Sequence, residues 1–222
     1  MIRTRSLAYQ YARGPRLSFP DVDVPQGATL LLQGKSGAGK STWLALAAGL
    51  LTASEGEISV GGQPMAGLSR AARDAWRGRH LGFLPQKLHL SEALTVERNL
   101  ALAFYAAGVP EDDAALRGAL EALGVAQLAG RRPSQLSQGQ AQRVALARAV
   151  LMNPTIILAD EPTASLDDEA AAAAIALLQD CAFRCEATLV VATHDARVRQ
   201  ALPAAMAYRL GPAGTPAQGV PA

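Results

Sequence analysis

Residues 34–42 read GKSGAGKST. Immediately before them lies ATLLLQ (28–33), an apolar run of buried-strand length, and immediately after them WLALAAGLL (43–51), rich in good helix formers. Strand, glycine loop and helix therefore follow one another, with the spacing G-x-x-x-x-G-K-S of a P-loop. Gly34, Gly37 and Gly39 let the backbone curl until successive N–H groups point inward at an anion. The helix beginning near Lys40 adds the positive end of its dipole. Lys40 can reach outer phosphates, and the Ser41 hydroxyl can ligate Mg²⁺. The pattern specifies a nucleoside triphosphate and leaves open what its energy drives.

With 222 residues, the chain is long enough for one sizeable domain with a subdomain. Half of the residues are hydrophobic, yet no apolar run approaches the ~20 residues needed to span a bilayer. The N-terminus has early arginines but no apolar h-region, so no signal peptide is expected and the chain is read as cytosolic. A net charge of +2 is too small to argue for nucleic acid. The locally basic stretch RAARDAWRGRH (70–80) is read as a solvated helix face. Cys181 and Cys185, four apart in a helical pattern, are read as a reduced pair without further metal ligands nearby.

Pro and Gly punctuation in the first 33 residues predicts short antiparallel strands ahead of the P-loop strand. A strand is expected over 56–60, a helix over 68–79 and a short apolar strand over 81–85, ending at Gln86. Residues 87–132 read as mostly helical, and 137–152 as one long helix stopped by Asn153-Pro154. Strand 155–160, helix 168–185, strand 188–192 and a helix from about 196 follow. The tail from about 211 is mostly Pro, Gly and Ala and is read as loose. Strands alternating with helices around a P-loop mean an α/β domain. The expected architecture is a P-loop NTPase (RecA-like) with a mainly parallel sheet core, an N-terminal antiparallel β subdomain and an inserted α-helical subdomain over about 87–152, all in one domain.

A second phosphate motif is IILADE at 156–161. Four apolar residues followed by two acids suit a buried parallel strand ending at the ligand-binding edge of the sheet. Asp160 is placed to hold Mg²⁺, directly or through water. Glu161 is not needed for the metal and, beside a γ-phosphate, is a natural general base for polarising water.

Five further stretches complete a pattern: LSQGQ at 136–140 followed by AQRVALARAV, Gln86 at the end of its strand, ASLD at 164–167, Thr193-His194-Asp195 at the end of the last strong strand, and Tyr11 at the front. Together and in this order they resemble the nucleotide-binding domain of ATP-binding cassette (ABC) transporters, over nearly the whole chain. The resemblance implies ATP and Mg²⁺ as ligands, with Gly34, Lys35, Ser36, Gly37, Ala38, Gly39, Lys40, Ser41 and Thr42 around the phosphates. It implies that Tyr11 stacks on adenine, with Tyr9 the alternative, and that Ser41, Asp160 and Gln86 surround the metal. Gln86 would also couple the site to a membrane partner. His194 would hold the γ-phosphate and position the water and Glu161, while Asp167 would contact an opposing subunit.

LSQGQ also has a physical reading. Ser137 can cap the long helix, and its hydroxyl with the Gly139 amide can meet an anion at the helix N-terminus. That helix carries neither a metal-binding acid nor a base, so it makes sense as half of a phosphate site. In the family the other half is the P-loop of a second copy; Ser137, Gly139 and Gln140 would then serve the partner's ATP. Gln138 stands where the family most often has Gly. Residues 62–69 and 81–83 resemble the lipoprotein-releasing and macrolide-exporter group of ATPases, which work with a force-transmitting membrane protein; residues 166–168 and Gln138 depart from that group's commonest form. The expected partners are a second copy and an integral membrane permease, with no nucleic acid, on the cytoplasmic face of the inner membrane. The alternative is a soluble ABC-type ATPase acting on nucleic acid or ribosomes. The DNA-repair type needs a long coiled-coil insertion and the ribosome type two cassettes, and neither is present. Leu88 and Leu90 are candidates either for contacts with the permease or for the core of the helical block.

Overall fold

The computed structural model describes residues 2–164 and 166–211. Ser165 of the ASLD stretch, and the tail from 212 onward, lie outside the described residues.

The centre is a parallel sheet. Its strands are β4 (Thr29–Gln33), β7 (Leu81–Leu84), β8 (Ile156–Asp160), β9 (Thr188–Thr193) and β10 (Met206–Arg209), in the spatial order β10-β4-β9-β8-β7. Side chains alternate between the two faces with period two, and each face has its own core. Leu30, Leu32, Ile156, Leu158, Val190 and Ala192 face helix α1 (Lys40–Ala47) and the β subdomain. Leu31, Ile157, Ala159, Leu189 and Val191 face the cluster that holds α3 (Val96–Ala107), α5 (Gln138–Val150) and α6 (Asp168–Arg184). The inner strands β4, β9 and β8 are apolar on both faces because both are covered, as a parallel sheet requires.

The antiparallel sheet draws on both sides of the P-loop. β1 (Ile2–Gln10) pairs with β2 (Arg16–Ser18) and β3 (Asp23–Val24), and also with β5 (Glu55–Val60), which pairs with β6 (Gln63–Pro64). The expected N-terminal β subdomain is thus completed by strands that follow α1. α1 is shorter than its composition suggests, since the chain turns at Gly49, φ +64°, in the left-handed region.

α2 (Arg70–His80) has no fully buried residue and presents a mostly solvated basic face, as expected. It lies against α3 at Gly78, where an added Cβ would meet the Ala107 Cα at 2.6 Å. The helical block comprises α3, α4 (Asp113–Ala122), two short 3₁₀ turns and α5. Leu88 and Leu90 are half-buried and pack on its core, which favours the core reading for both. α7 (Ala196–Ala201) and the edge strand β10 close the fold. β10 pairs in parallel with β4, and the sequence reading contains no strand there.

Candidate active site

Four neighbouring parallel strands deliver the site. β4 runs into the glycine loop, β9 ends at Thr193 before His194, β8 ends at Asp160 before Glu161, and β7 leads to Gln86. In register, Gln33 lies beside Thr193, Asp160 beside Ala192, and Leu84 beside Ala159. The carboxyl ends of β4, β9 and β8 therefore meet at one edge, where α/β sheets bind ligands.

The loop has the predicted form. Gly37 and Gly39 adopt φ of +80° and +95°. Gly39 stands at the N-cap of α1, whose acceptor-free N-terminus opens toward the loop. A Cβ at Gly34 would meet Ala38 Cβ at 2.9 Å, so that position must stay small. Lys40 is buried and its Nζ donates to the Gly34 carbonyl at 2.9 Å and the Lys35 carbonyl at 3.4 Å. Lys35, Ser36, Gly37 and Ser41 are exposed, whereas Ala38 and Thr42 are buried.

Lys40 also pairs with Glu161, Nζ to Oε1 at 3.1 Å, with side chains only 7% and 10% exposed. Glu161 is held from every side. Its Oε1 lies 2.8 Å from His194 Nδ1, and its Oε2 accepts the Thr193 hydroxyl at 2.8 Å. The Glu161 N–H donates to the Ala192 carbonyl at 2.8 Å. Beside an ionised carboxylate, His194 Nδ1 must be the donor, which leaves Nε2 free for a ligand. Burial alone would raise the Glu161 carboxyl, but bonds from His194, Thr193 and Lys40 outweigh it and hold the group below its ordinary range.

Asp160 has the opposite balance. Burial and the neighbouring Glu161 charge push its carboxyl above the usual range, against the pull of the Ser41 hydroxyl and Lys40. Its Oδ1 is buried with no hydrogen-bond partner. A buried, unpartnered carboxylate oxygen is costly unless a cation completes it. The donor set of Ser41 and Asp160 suits a hard oxygen-seeking ion. These residues fit Mg²⁺.

Tyr11 lies at the mouth, 42% exposed, its hydroxyl 3.0 Å from Thr42 Oγ1 and its ring edge-on to Tyr9 at 4.7 Å. Gln86 is exposed and lines a cleft together with Glu161, Pro162 and Gln138. Within this chain Ser137 and Gln140 bond to each other in a capping box: Ser137 Oγ accepts the Gln140 N–H at 3.3 Å, and Gln140 Oε1 accepts the Ser137 N–H at 2.9 Å. Gly139 has open space where a Cβ would project. Asp167 caps α6, accepting the Ala170 N–H at 2.8 Å. The chain thus gathers Lys40, Ser41, Asp160, Glu161, Thr193 and His194 into one cluster, while Ser137, Gly139, Gln140 and Asp167 stand outside it among the described residues. Thr193, which fixes Glu161, and Gln142, which donates to the Pro162 carbonyl at 2.5 Å, carry no role in the sequence reading. An ordinary Thr in a strand and a Gln in a helix give no signal of their own.

The family model described as ABC transporter matches residues 17–164. The lipoprotein-releasing system ATP-binding protein LolD of Chromohalobacter salexigens is 34% identical over 201 residues, covering 88% of this chain and 85% of that protein. LolD of Xanthomonas euvesicatoria is 37% identical over 203 residues, covering 88% and 82%. Among solved structures, the dimeric bacterial ABC transporter cassette MJ0796 matches with a TM-score of 0.81 and 30% identity, over 95% of this chain and 94% of that one. A dimeric post-hydrolysis state of the same cassette, bound to ADP and phosphate, matches with a TM-score of 0.82 and 28% identity, over 96% and 95%.

Proposed function

The chain belongs to the ABC transporter family and is an ATP-binding, ATP-hydrolysing subunit, and from that premise we propose that two copies close head to tail around two ATP molecules to drive a membrane partner of the lipoprotein-releasing kind. The observation that carries this reading is the split of the phosphate-binding groups. Lys40, Ser41, Asp160, Glu161 and His194 converge at one sheet edge, while the exposed α5 N-terminus at Ser137 stands apart with no acid or base of its own. A two-fold axis pairs each half with the other. The similarity to LolD proteins and to a dimeric cassette supports the same arrangement.

In this reading the amides of residues 34–42 and Lys40 bind the phosphates, and Tyr11 stacks on the adenine. Ser41 and Asp160, with Gln86, would hold Mg²⁺, which would offset phosphate charge there. Phosphate takes Lys40 away from Glu161, and Oε1, still held by His194, then accepts a proton from water attacking the γ-phosphorus as the bond from that phosphorus to the departing ADP oxygen breaks. Thr193 keeps the Glu161 carboxylate aimed, and His194 Nε2 meets the γ-phosphate. Ser137, Gly139 and Gln140 complete the site of the other copy, and Asp167 faces it. ATP then holds the dimer closed and hydrolysis releases it, which converts chemistry into motion. The membrane partner docks near Gln86 on the cytoplasmic face of the membrane. None of the described helices is long and apolar enough to cross a bilayer itself.

The test is a crosslink. Cys181 and Cys185 are replaced by Ser, Glu161→Gln retains ATP, and Gly37→Cys is combined with Ser137→Cys after ATP binding has been verified. A disulfide needs Cα atoms within about 7 Å. Oxidation with ATP is expected to give a covalent dimer on a non-reducing gel, and oxidation without ATP much less. ATP binding accompanied only by an internally bridged monomer refutes the two-copy site.

A further inference from the structure

The hydrogen-bond chain from Glu161 continues beyond the reacting groups. The Thr193 hydroxyl that donates to Glu161 also accepts the Asp195 N–H at 3.0 Å. Asp195 Oδ2 accepts the Thr163 hydroxyl at 2.7 Å and Arg197 Nη2 at 2.8 Å, and its Oδ1 accepts Arg197 Nε at 3.1 Å. Arg197 Nη1 then crosses to the turn after β8, donating to the Leu166 carbonyl at 3.1 Å and to Asp168 Oδ1 at 2.8 Å. One guanidinium therefore ties the turn that carries His194 to the segment that carries Asp167.

Not all of these bonds matter equally. Asp168 is 95% exposed, so its ion pair is screened and holds little. Asp195, at 16% exposure, and the Leu166 carbonyl are the bonds that fix geometry. The guanidinium spreads its N–H groups over three nitrogens in a rigid fork, so it spans Asp195 and the Leu166 carbonyl together, whereas a lysine gathers its three N–H groups on a single nitrogen.

We propose that Arg197 is a positioning residue that sets segment 166–168 relative to Glu161 and His194, so that closure of one ATP site is felt at the surface facing the second copy. This rests on the two-copy reading above. In that arrangement Asp167 meets the opposing copy, and the Arg197 bridge is a contiguous side-chain link between that contact and the groups at the γ-phosphate. It makes the two ATP sites cooperative.

The experiment uses the full chain with Arg197→Ala and Arg197→Lys. In the Glu161→Gln background, light scattering follows dimer formation against ATP concentration; with Glu161 intact, ATPase kinetics give kcat, KM and the Hill coefficient. Affinity for ADP and the melting temperature report on the integrity of a single copy. Residues along a coupling route shift it by about 2- to 30-fold. Arg197→Ala is expected to raise the half-maximal ATP for dimerisation by about tenfold within that range and to lower the Hill coefficient toward one, with ADP affinity within about twofold of the parent. Arg197→Lys, which keeps only the Asp195 pair, is expected to fold as the parent does and to show the same loss of cooperativity in part; it carries the comparison if the Ala variant does not fold. Unchanged dimerisation and cooperativity overturn the proposal, as does an equal fall in ADP affinity and dimerisation, which marks a mere structural staple. If Glu161→Gln with Arg197 intact stays monomeric in saturating ATP, the two-copy reading fails and the coupling role falls with it.

Discussion

Glu161→Gln tests whether the base and the P-loop lysine compete with phosphate. Lys40 has three N–H groups, directed at the Gly34 carbonyl at 2.9 Å, the Lys35 carbonyl at 3.4 Å and Glu161 Oε1 at 3.1 Å. A phosphate reaching Lys40 must displace the carboxylate. With both side chains nearly buried, that bond is charge-assisted, contributing about 1.5–3 kcal/mol, against about 0.5–1.5 kcal/mol for a neutral amide in its place. The difference, about 1–2 kcal/mol, is strain removed from nucleotide binding and stability removed from the free chain. ADP affinity in Glu161→Gln is therefore expected to tighten about 5- to 30-fold, while the nucleotide-free melting temperature falls by about 2–8 °C. Steady-state turnover falls by about 10²-fold or more for loss of the base. Isothermal titration with ADP, at concentrations where light scattering shows a monomer, isolates Lys40 from any effect of dimerisation. Unchanged or weaker ADP binding, with an unchanged melting temperature, refutes the competition.

Other consequences are open to direct measurement. Asp160→Asn should abolish the gain in ATP affinity on adding Mg²⁺ while leaving Mg²⁺-free binding within about threefold; a surviving Mg²⁺ effect removes Asp160 from the metal site. Gly82→Ala would put a Cβ 2.5 Å from the Ala149 carbonyl and 3.1 Å from Pro154 Cγ, so it should cost about 1–3 kcal/mol in urea unfolding and lower kcat by shifting the Gln86 end of β7. A parent-like midpoint shows that α5 yields instead. Asp195, held well below its ordinary carboxylate range chiefly by the Arg197 guanidinium, stabilises the fold above the unfolded pKa near 3.8 and loses that contribution as pH falls toward the lowered folded value. The stability gap between the parent and Arg197→Ala should thus be constant from pH 6 to 8 and narrow below about pH 4. A gap that widens on acidification contradicts the assignment.

What could be read from the chain alone was local and chemical. The P-loop, the acid pair at 160–161 and the LSQGQ helix start carry their meaning in adjacent residue types; the first two meet at one sheet edge and the third opens α5. The long-range features were not readable. Nothing in TLVVAT announces that β9 slides between β4 and β8, although this insertion is what brings His194 to Glu161. Nor does EGEISV announce pairing with β1 rather than with the central sheet. Strand order is set by which apolar faces find cover, and the inner strands β4, β9 and β8 are all apolar on both faces. β10 gives no strand signal because MAYR is four half-exposed or exposed residues held by one neighbour.

The least readable feature is the backbone at Glu161, with φ +46°. The left-handed region disfavours a residue with a long side chain, at a cost of about 1–3 kcal/mol. The surroundings impose it. β8 delivers Asp160 in register with Ala192, so the Glu161 N–H still makes the parallel ladder bond to the Ala192 carbonyl at 2.8 Å, and the chain reverses only after it, where the Glu161 carbonyl accepts the Ala164 N–H at 3.1 Å. That reversal turns the side chain out of strand alternation, which otherwise sends neighbouring side chains to opposite faces. Asp160 and Glu161 thereby both reach the P-loop, one toward Ser41 and the other onto Lys40. A glycine there would adopt the turn without strain and leave no carboxylate; a glutamate in ordinary strand geometry would keep the carboxylate and point it elsewhere. In the proposed mechanism, only the strained glutamate lets consecutive residues serve as metal-binding acid and base on one side of one phosphate site.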